Sequence, residues 1–195
     1  VVIGACTLGR PEQVKALRTY LASGGGLVLQ HQACGRGRPE TPVPSVARKV
    51  IDRRPDTVLA VKDLAHPIAA ELPDQFEHAY HDHLFLEPGP DGTVVVADRE
   101  GAAVGVAGSA GAGRIVMCGA LPGYRYDPAT FAQAEAEPTG GELPLAVNMA
   151  KWAAAGRLTA QPPEQIAERR KKAESDLKLE ALSRLLPTSD WFGTE

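Results

Sequence analysis

The chain has 195 residues, of which 44% are hydrophobic and 23% are charged, a balance typical of folded globular proteins. Its 21 basic and 24 acidic residues give a formal net charge of −3, which argues against a nucleic-acid-binding protein. No stretch approaches the roughly 18 consecutive apolar residues of a membrane span, and three cysteines are too few for a disulfide framework. Because the start of the chain also lacks the pattern of a signal peptide, we expect a soluble protein located in the cytoplasm.

The first thirty residues predict a strand, a helix and a second strand. Residues 1–5 are an apolar run typical of a strand that is buried on both faces of a parallel sheet. Pro11 suits a first helical turn, and the helix that it opens has one apolar stripe: Val14, Leu17 and Leu21. Glycines at 24–26 end this helix, and residues 27–30 predict another buried strand. This order predicts a parallel βαβ unit, and we expect further strands to precede Val1.

The middle of the chain predicts mainly strands and loops. Residues 32–56 predict a loop rich in proline and arginine, with one short helix over 45–51. Residues 57–61 predict a strand, and residues 66–69 predict a short turn or helix on the surface. Three further strands are predicted over 93–97, 104–107 and 115–118. The last two flank a glycine-rich turn typical of a hairpin, and the strand that follows disfavours a phosphate-binding loop, which would lead into a helix.

The C-terminal part predicts two helices of different character. Thr139 and Glu142 fit a capping box, which opens a helix that closes at Gly156. The core stripe of this helix consists of Leu145, Met149 and Trp152. Residues 157–195 then predict a proline-containing linker, a charged amphipathic helix over 164–186 and a tail. Because such a helix is marginal alone, we expect it to contact another chain or a flanking domain.

Four segments occur in an order that is similar to one known superfamily. A helix and a glycine-rich turn lead to a strand that ends in histidine, over 17–31, and a His-Pro-Ile stretch with a Leu-Pro pair follows over 66–76. A glycine-rich hairpin continues into Gly-Arg-Ile-Val at 113–116, and the closing helix over 143–152 ends in tryptophan. Together they resemble the class I glutamine amidotransferase-like superfamily, most closely its trehalose-utilisation (ThuA-like) branch. The resemblance spans residues 1–156 as one domain and implies an α/β, flavodoxin-like three-layer sandwich with a mostly parallel sheet.

The catalytic triad of this superfamily is expected to be degenerate here. Glutamine hydrolysis needs a cysteine thiolate, a histidine and a carboxylate. Alignment by strand places the nucleophile position at or next to His31, while Cys34 lies three residues later and would serve only after a shift of register. The superfamily's His-x-Glu should follow residues 115–118, but the first acid there is Asp127 and no histidine is present. The catalytic candidates are therefore His31, Cys34 and Asp127.

Residues 77–83, Glu-His-Ala-Tyr-His-Asp-His, are the densest polar stretch of the chain. If this stretch is extended, His81 and His83 project from one face and could bind one divalent, zinc-like metal. A third ligand would come from elsewhere: His31, Asp127 or Glu87. One alternative is a metal-free polar pocket that contains His31 and part of this stretch, at the carboxyl ends of the strands. The other alternative is a structural role for the histidines.

The ligand-binding candidates lie at the same predicted edge: Gln30, His31, Tyr80, Tyr124 and Arg125. Aromatic rings beside arginine suit the recognition of a sugar or a carboxylate. The first hypothesis is a degenerate amidotransferase-like domain that binds a small molecule or carbohydrate, or serves in assembly. The second is a hydrolase or sugar-modifying enzyme with a histidine-lined pocket, and the third is an amidotransferase that depends on Cys34. None of the three involves a nucleic acid or a membrane.

Overall fold

The computed structural model describes residues 1–4, 6–8, 10–127, 129–130 and 132–158. The predicted helix over 164–186 lies outside them. The described part contains two α-helices, α1 (Pro11–Ala22) and α2 (Glu142–Leu158), and short 3₁₀ helices at His31–Cys34 and Pro67–Ala69. Its strands are β1 (Val2–Ile3), β2 (Gly26–Gln30), β3 (Ala47–Arg54), β4 (Val58–Val61), β5 (Gln75–Glu77), β6 (His83–Pro88), β7 (Gly92–Ala97), β8 (Ala103–Ala110), β9 (Gly113–Cys118), β10 (Tyr124–Asp127) and β11 (Ala132–Glu135).

Seven strands form one mixed sheet in the order β1-β2-β9-β8-β7-β4-β5. The pairings of β1 with β2 and of β2 with β9 are parallel, and the other four are antiparallel. The α/β class is confirmed, but the prediction of a mostly parallel sheet is wrong. Short turns join β7 to β8 and β8 to β9, and a parallel connection would need a crossover of about a dozen residues or more.

The central sheet is covered on both faces. Because side chains alternate along a strand, neighbouring residues of β2 and β9 enter different apolar clusters. One cluster joins the sheet to α2 through Val28, Val116, Leu145 and Met149. The other joins it to α1 and to the antiparallel ribbon of β3 and β6 through Leu21, Leu27, Leu29, Ile115, Met117 and Leu86. Each fully buried leucine or isoleucine of these clusters contributes about 2 kcal/mol through its removal from water.

The glycine-rich turn before β2 is a physical requirement of this packing. Gly24 adopts a φ of +87°, a left-handed conformation that lets the chain leave α1. Gly26 lies so close to α2 that an added Cβ would come within 2.3 Å of the Ala153 carbonyl oxygen. The predicted βαβ unit is confirmed, with α1 between the parallel strands β1 and β2.

Three local predictions are wrong. The strand at the start of the chain is not buried on both faces, since Val1 and Val2 are 63% and 56% exposed and β1 lies at the edge of the sheet. The loop and short helix predicted within 32–56 are replaced over much of their length by β3, whose pairing with distant β6 overrides a weak local helical preference. His83 begins β6, whereas His81 precedes that strand, so the two histidines do not lie on one strand.

The predicted closing helix is confirmed as α2, and its first turn is fixed by side-chain hydrogen bonds. The carboxylate of Glu142 accepts hydrogen bonds from the backbone N–H of Thr139 at 2.8 Å and from that of Ala79 at 3.1 Å. The start of α2 is thereby joined to the segment that precedes β6. Within the described part of the chain, neither helix combines the length and the apolar character needed to cross a bilayer.

Candidate functional site

His31 stands at a sharp turn at the carboxyl end of β2. It follows Gln30 directly and begins the 3₁₀ helix that ends at Cys34. Its φ of +48° is in the left-handed region, which among the described non-glycine residues is shared only by Glu71. Such conformations are sparsely populated and occur preferentially at functional sites. The structure therefore places His31, and not Cys34, at the strand-to-helix turn.

A buried carboxylate lies behind His31. The Asp82 Oδ1 atom is 3.0 Å from His31 Nε2, and the two residues are only 2% and 3% exposed. The second oxygen, Oδ2, accepts a hydrogen bond from Arg53 Nη1 at 3.1 Å and lies 3.4 Å from His81 Nε2. Burial acts to raise the pKa of Asp82, but the hydrogen bond and charge of His31 and the charges of His81 and Arg53 hold this pKa below its ordinary value. Asp82 is therefore an anion that faces nitrogen atoms of three side chains.

Aromatic rings surround this pair on one side. The ring of Tyr80 meets that of His31 edge-on, with centroids 5.2 Å apart. The ring of Tyr126 stacks on that of His81 with their centroids 4.0 Å apart, and the ring centroids of Tyr80 and His81 are 4.6 Å apart. Tyr80 is buried, whereas His81 and Tyr126 are half-buried and the side chain of Arg53 is 53% exposed. A ligand would therefore meet Arg53, His81 and Tyr126 first.

A second polar cluster lies next to this site. His83 Nδ1 is 3.2 Å from His78 Nε2, and His83 Nε2 is 3.8 Å from the Asp98 carboxylate. Asp98 is fully buried and forms an ion pair with Arg54 at 2.5 Å. Burial and the neighbouring His83 lower the pKa of His78 to about 4, and burial also lowers the pKa of His83. Both imidazoles are therefore neutral near neutral pH.

Solved structures with the same fold place this architecture among known proteins. A cytoplasmic protein from Salmonella typhimurium superposes with a TM-score of 0.54 at 15% identity, over 78% of this chain and 70% of that one. A ThuA-like protein from Bacteroides uniformis gives a TM-score of 0.54 at 16% identity, over 78% of this chain and 69% of that one. The chain has a ThuA-like fold. The resemblance inferred from the four sequence segments is thereby confirmed at the level of the fold.

The ThuA-like fold also matches part of a larger enzyme. A β-galactosidase from Bacillus circulans superposes with a TM-score of 0.52 at 12% identity, over 78% of this chain but only 22% of the β-galactosidase. The sequence itself matches no family model and no curated protein. At these identities the likeness concerns the fold, and the chemistry has to be argued from the residues of this chain.

The predicted metal ligands have different neighbours in this ThuA-like fold. His81 lies against Tyr126 and Asp82, whereas His83 contacts His78 and faces Asp98. The predicted pair on one strand face is not formed, because the alternation of side chains applies only within a strand and β6 begins at His83. Within the described ranges, no group of three or more histidine, cysteine, aspartate or glutamate side chains is arranged to hold a metal ion.

Cys34 lies in the core beneath the turn. Its sulfur lies 3.4 Å from the carbonyl oxygens of Leu29 and Cys118, and its one proton can be donated to either of them. Complete burial, together with the nearby Cys118, raises the pKa of Cys34 well above its ordinary value. A nucleophilic cysteine needs a lowered pKa, and burial raises the pKa of Cys34 instead.

The candidates after β9, Asp127, Tyr124 and Arg125, all lie on β10. Asp127 is exposed at the end of β10, where hydrogen bonds from Thr130 and from the Ala129 N–H, both at 2.8 Å, lower its pKa. It stabilises the turn between β10 and β11. Tyr124 and Arg125 lie opposite Glu135 and Ala134 in that ribbon. The residue of β10 with a described contact to a histidine is Tyr126, which stacks on His81. Gln30, the last residue of β2, is buried with its side chain against Gly4.

The sequence interpretation missed three residues of the site: Arg53, Asp82 and Tyr126. Asp82 lies inside the conspicuous stretch 77–83, and its position between two histidines was the available signal. Tyr126 could have been found by treating 124–127 as a strand, since alternate residues then share a face. Arg53 lies on β3, which local sequence does not indicate, so no signal in the sequence pointed to it.

Proposed function

We propose that this chain is an amidotransferase-like domain without an intact cysteine–histidine–glutamate triad, and that it binds a small polar, carbohydrate-related ligand around His31. The observation that carries the proposal is that a histidine, and not a cysteine, stands at the turn after β2. A histidine backed by a buried carboxylate stands there, while the nearby cysteine is a buried thiol. Hydrolysis of glutamine through Cys34 would need a thiolate that this environment disfavours.

The position proposed for the ligand, next to His31, agrees with a general rule for α/β sheets. We consider residues 1–156 to form a flavodoxin-like three-layer sandwich, in which ligands bind outside the carboxyl ends of parallel strands. β2 and β9 are such strands, and His31 follows the first of them directly. In this interpretation the histidines need no metal to line the site.

The chemistry of the exposed side chains favours a ligand with a flat apolar face and polar edges. The stacked rings of His81 and Tyr126 offer aromatic surface, and the guanidinium of Arg53 offers hydrogen-bond donors for hydroxyl or carboxylate oxygens. A sugar or sugar acid combines these features. A β-galactosidase is among the proteins of similar fold, which is consistent with a carbohydrate ligand.

Calorimetric titration of the full chain with monosaccharides, disaccharides, sugar acids and glutamine tests this proposal. Tyr126→Ala and Arg53→Gln should each weaken the tightest ligand about tenfold or more, since each removes one contact surface. Thr130→Ala, on the turn beyond β10, is the matched control and should bind as the wild type does. Failure of every sugar to bind in the millimolar range, or equal binding by all four proteins, would contradict the proposal.

A second candidate function is a hydrolase or sugar-modifying enzyme that uses the same histidine-lined site. The hydrogen bond between His31 and Asp82 favours it, because a carboxylate-oriented imidazole is a common acid–base device. Substrate turnover that His31→Gln abolishes, and that Cys34→Ala leaves intact, would establish this enzyme.

The contact expected through residues 164–186 stays a prediction, as does the cytoplasmic location. Light scattering of the full chain and of a variant that lacks residues 159–195 would test the first of them. We expect a smaller assembly, or a lower melting temperature, for the shortened chain. An unchanged mass together with an unchanged melting temperature would refute the expectation.

A further inference from the structure

The carboxylate behind His31 decides which nitrogen of the imidazole carries the proton. Ionised Asp82 can only accept hydrogen bonds, so the Nε2 atom that it contacts at 3.0 Å must carry the proton. In a neutral imidazole the other nitrogen, Nδ1, then holds a lone pair. The ring of His31 is thereby fixed in one tautomer, with its basic and nucleophilic atom pointing away from Asp82.

The backbone of His31 has the geometry that presents nucleophiles in α/β proteins. A strained turn between a strand and a helix lifts one side chain out of the sheet, as in the nucleophile turn of α/β hydrolases. Here the turn joins β2 to the 3₁₀ helix at His31–Cys34, and the strained φ of +48° belongs to His31 itself. A left-handed φ is unfavourable for a side chain with a Cβ, and residues in such conformations cluster at functional sites.

The surroundings of Asp82 suit a reaction in which the ring becomes positively charged. The carboxylate is buried and already held in place by Arg53 Nη1 at 3.1 Å and His81 Nε2 at 3.4 Å. It therefore needs no reorganisation when positive charge develops on the imidazole, and a preorganised charge of this kind stabilises the transition state.

We propose that His31 Nδ1 is a nucleophile toward activated acyl groups, and that Asp82 is its positioning residue. In the first step Nδ1 forms a bond to the acyl carbon, the bond from this carbon to the leaving oxygen breaks, and the leaving group departs with the electron pair. The Nε2 proton stays hydrogen-bonded to Asp82, which opposes the charge of the acyl-imidazolium. Water then attacks the acyl carbon, the C–N bond breaks, and the carboxylic acid and a proton are released while Nδ1 regains its lone pair.

The test uses p-nitrophenyl acetate and the full chain. The wild type should release p-nitrophenolate faster than the buffer does, and rapid quenching followed by peptide mass analysis should locate the acetyl group on His31. His31→Gln should lose the whole protein-dependent rate. Asp82→Asn should lower the rate about tenfold or more, because the carboxylate no longer opposes the developing charge. The matched control is His66→Gln, which changes a half-buried histidine that caps the turn at Pro67–Ala69 and should react as the wild type does.

A readout that is independent of the reaction is the ¹⁵N spectrum of the imidazoles at about pH 9, well above the ordinary pKa of an imidazole. His31 should show a protonated Nε2 and an unprotonated Nδ1, and Asp82→Leu should remove this preference. An unchanged rate in His31→Gln, acetylation only at other residues, or a protonated Nδ1 in the wild type would overturn the proposal. The inference rests on the site proposed for ligand binding, but the two can fail separately. Sugar binding without acetylation of His31 refutes only the nucleophile, and acetylation without sugar binding refutes only the ligand.

Discussion

Acid should destabilise this protein through the imidazole of His78. This residue is 2% exposed, its Nε2 is committed to His83, and its Nδ1 has no hydrogen-bond partner among the described residues. Burial and the neighbouring His83 lower the pKa of His78 from 6.5 to about 4. The unfolded chain therefore takes up this proton at a higher pH than the folded chain, and the free energy of unfolding must fall as the pH decreases through this range. Between about pH 8 and pH 4.5 the loss from His78 amounts to about 2.5 kcal/mol.

The assay is urea denaturation of the wild type and of His78→Gln at a series of pH values from about 8 to 4.5. At the alkaline end His78 is neutral in the folded and the unfolded chain, so the difference between the two proteins measures only the packing cost of the substitution. Toward acid the variant should lose about 2.5 kcal/mol less than the wild type. The lowered pKa of His83 acts in the same direction, so some dependence should remain in the variant. Identical pH profiles of the two proteins would refute the reasoning.

Three further predictions concern the core and the buried charges. Iodoacetamide at neutral pH should modify half-buried Cys6 before Cys34, as read by peptide mass, and faster labelling of Cys34 would contradict its assignment as a buried thiol. Gly26→Ala should lower the free energy of unfolding by about 3 kcal/mol or more, since the added Cβ would lie 2.3 Å from a carbonyl oxygen of α2. Its control is Gly37→Ala, at a φ of +76° in open space, which should lower the free energy of unfolding by only about 1 kcal/mol. Equal costs in urea denaturation would show that α2 yields. Asp98→Asn should lower the free energy of unfolding by about 2 to 3 kcal/mol, because it leaves Arg54 and the pair His78–His83 without their buried anion. Its control is Glu100→Gln, at a carboxyl that is 72% exposed, which should lower the free energy of unfolding by less than about 0.5 kcal/mol.

Local patterns in the sequence were enough to predict the elements that form the centre of the fold. The apolar stripe of α1, the uninterrupted apolar runs of β2 and β9 and the capping pair Thr139–Glu142 each leave a signal within a few residues. β3 leaves no such signal, because it is largely exposed and exists through its pairing with β6, some thirty residues away. The strand directions differ from those that the resemblance implies, because the short connections before and after β8 allow only antiparallel pairing.

The sequence was enough to predict His31 as the centre of the candidate site, but not the residues that contact it. His31 at the end of β2 and the polar stretch 77–83 were expected to share a pocket, and the structure brings His31 and Asp82 together. The first residue of β6 determines which side chains of that stretch face His31. If β6 began one residue earlier or later, a neighbour of Asp82 would face His31 in its place. Sequence spacing alone cannot determine such a boundary.

Asp82 and His83 are consecutive residues that belong to different charge networks. The first holds the imidazole at the turn after β2, and the second joins the buried histidine pair to Asp98. One peptide bond therefore connects the site proposed for ligand binding to an acid-sensitive part of the interior. A ligand at the proposed site and protonation of the buried histidine pair would both act at the start of β6.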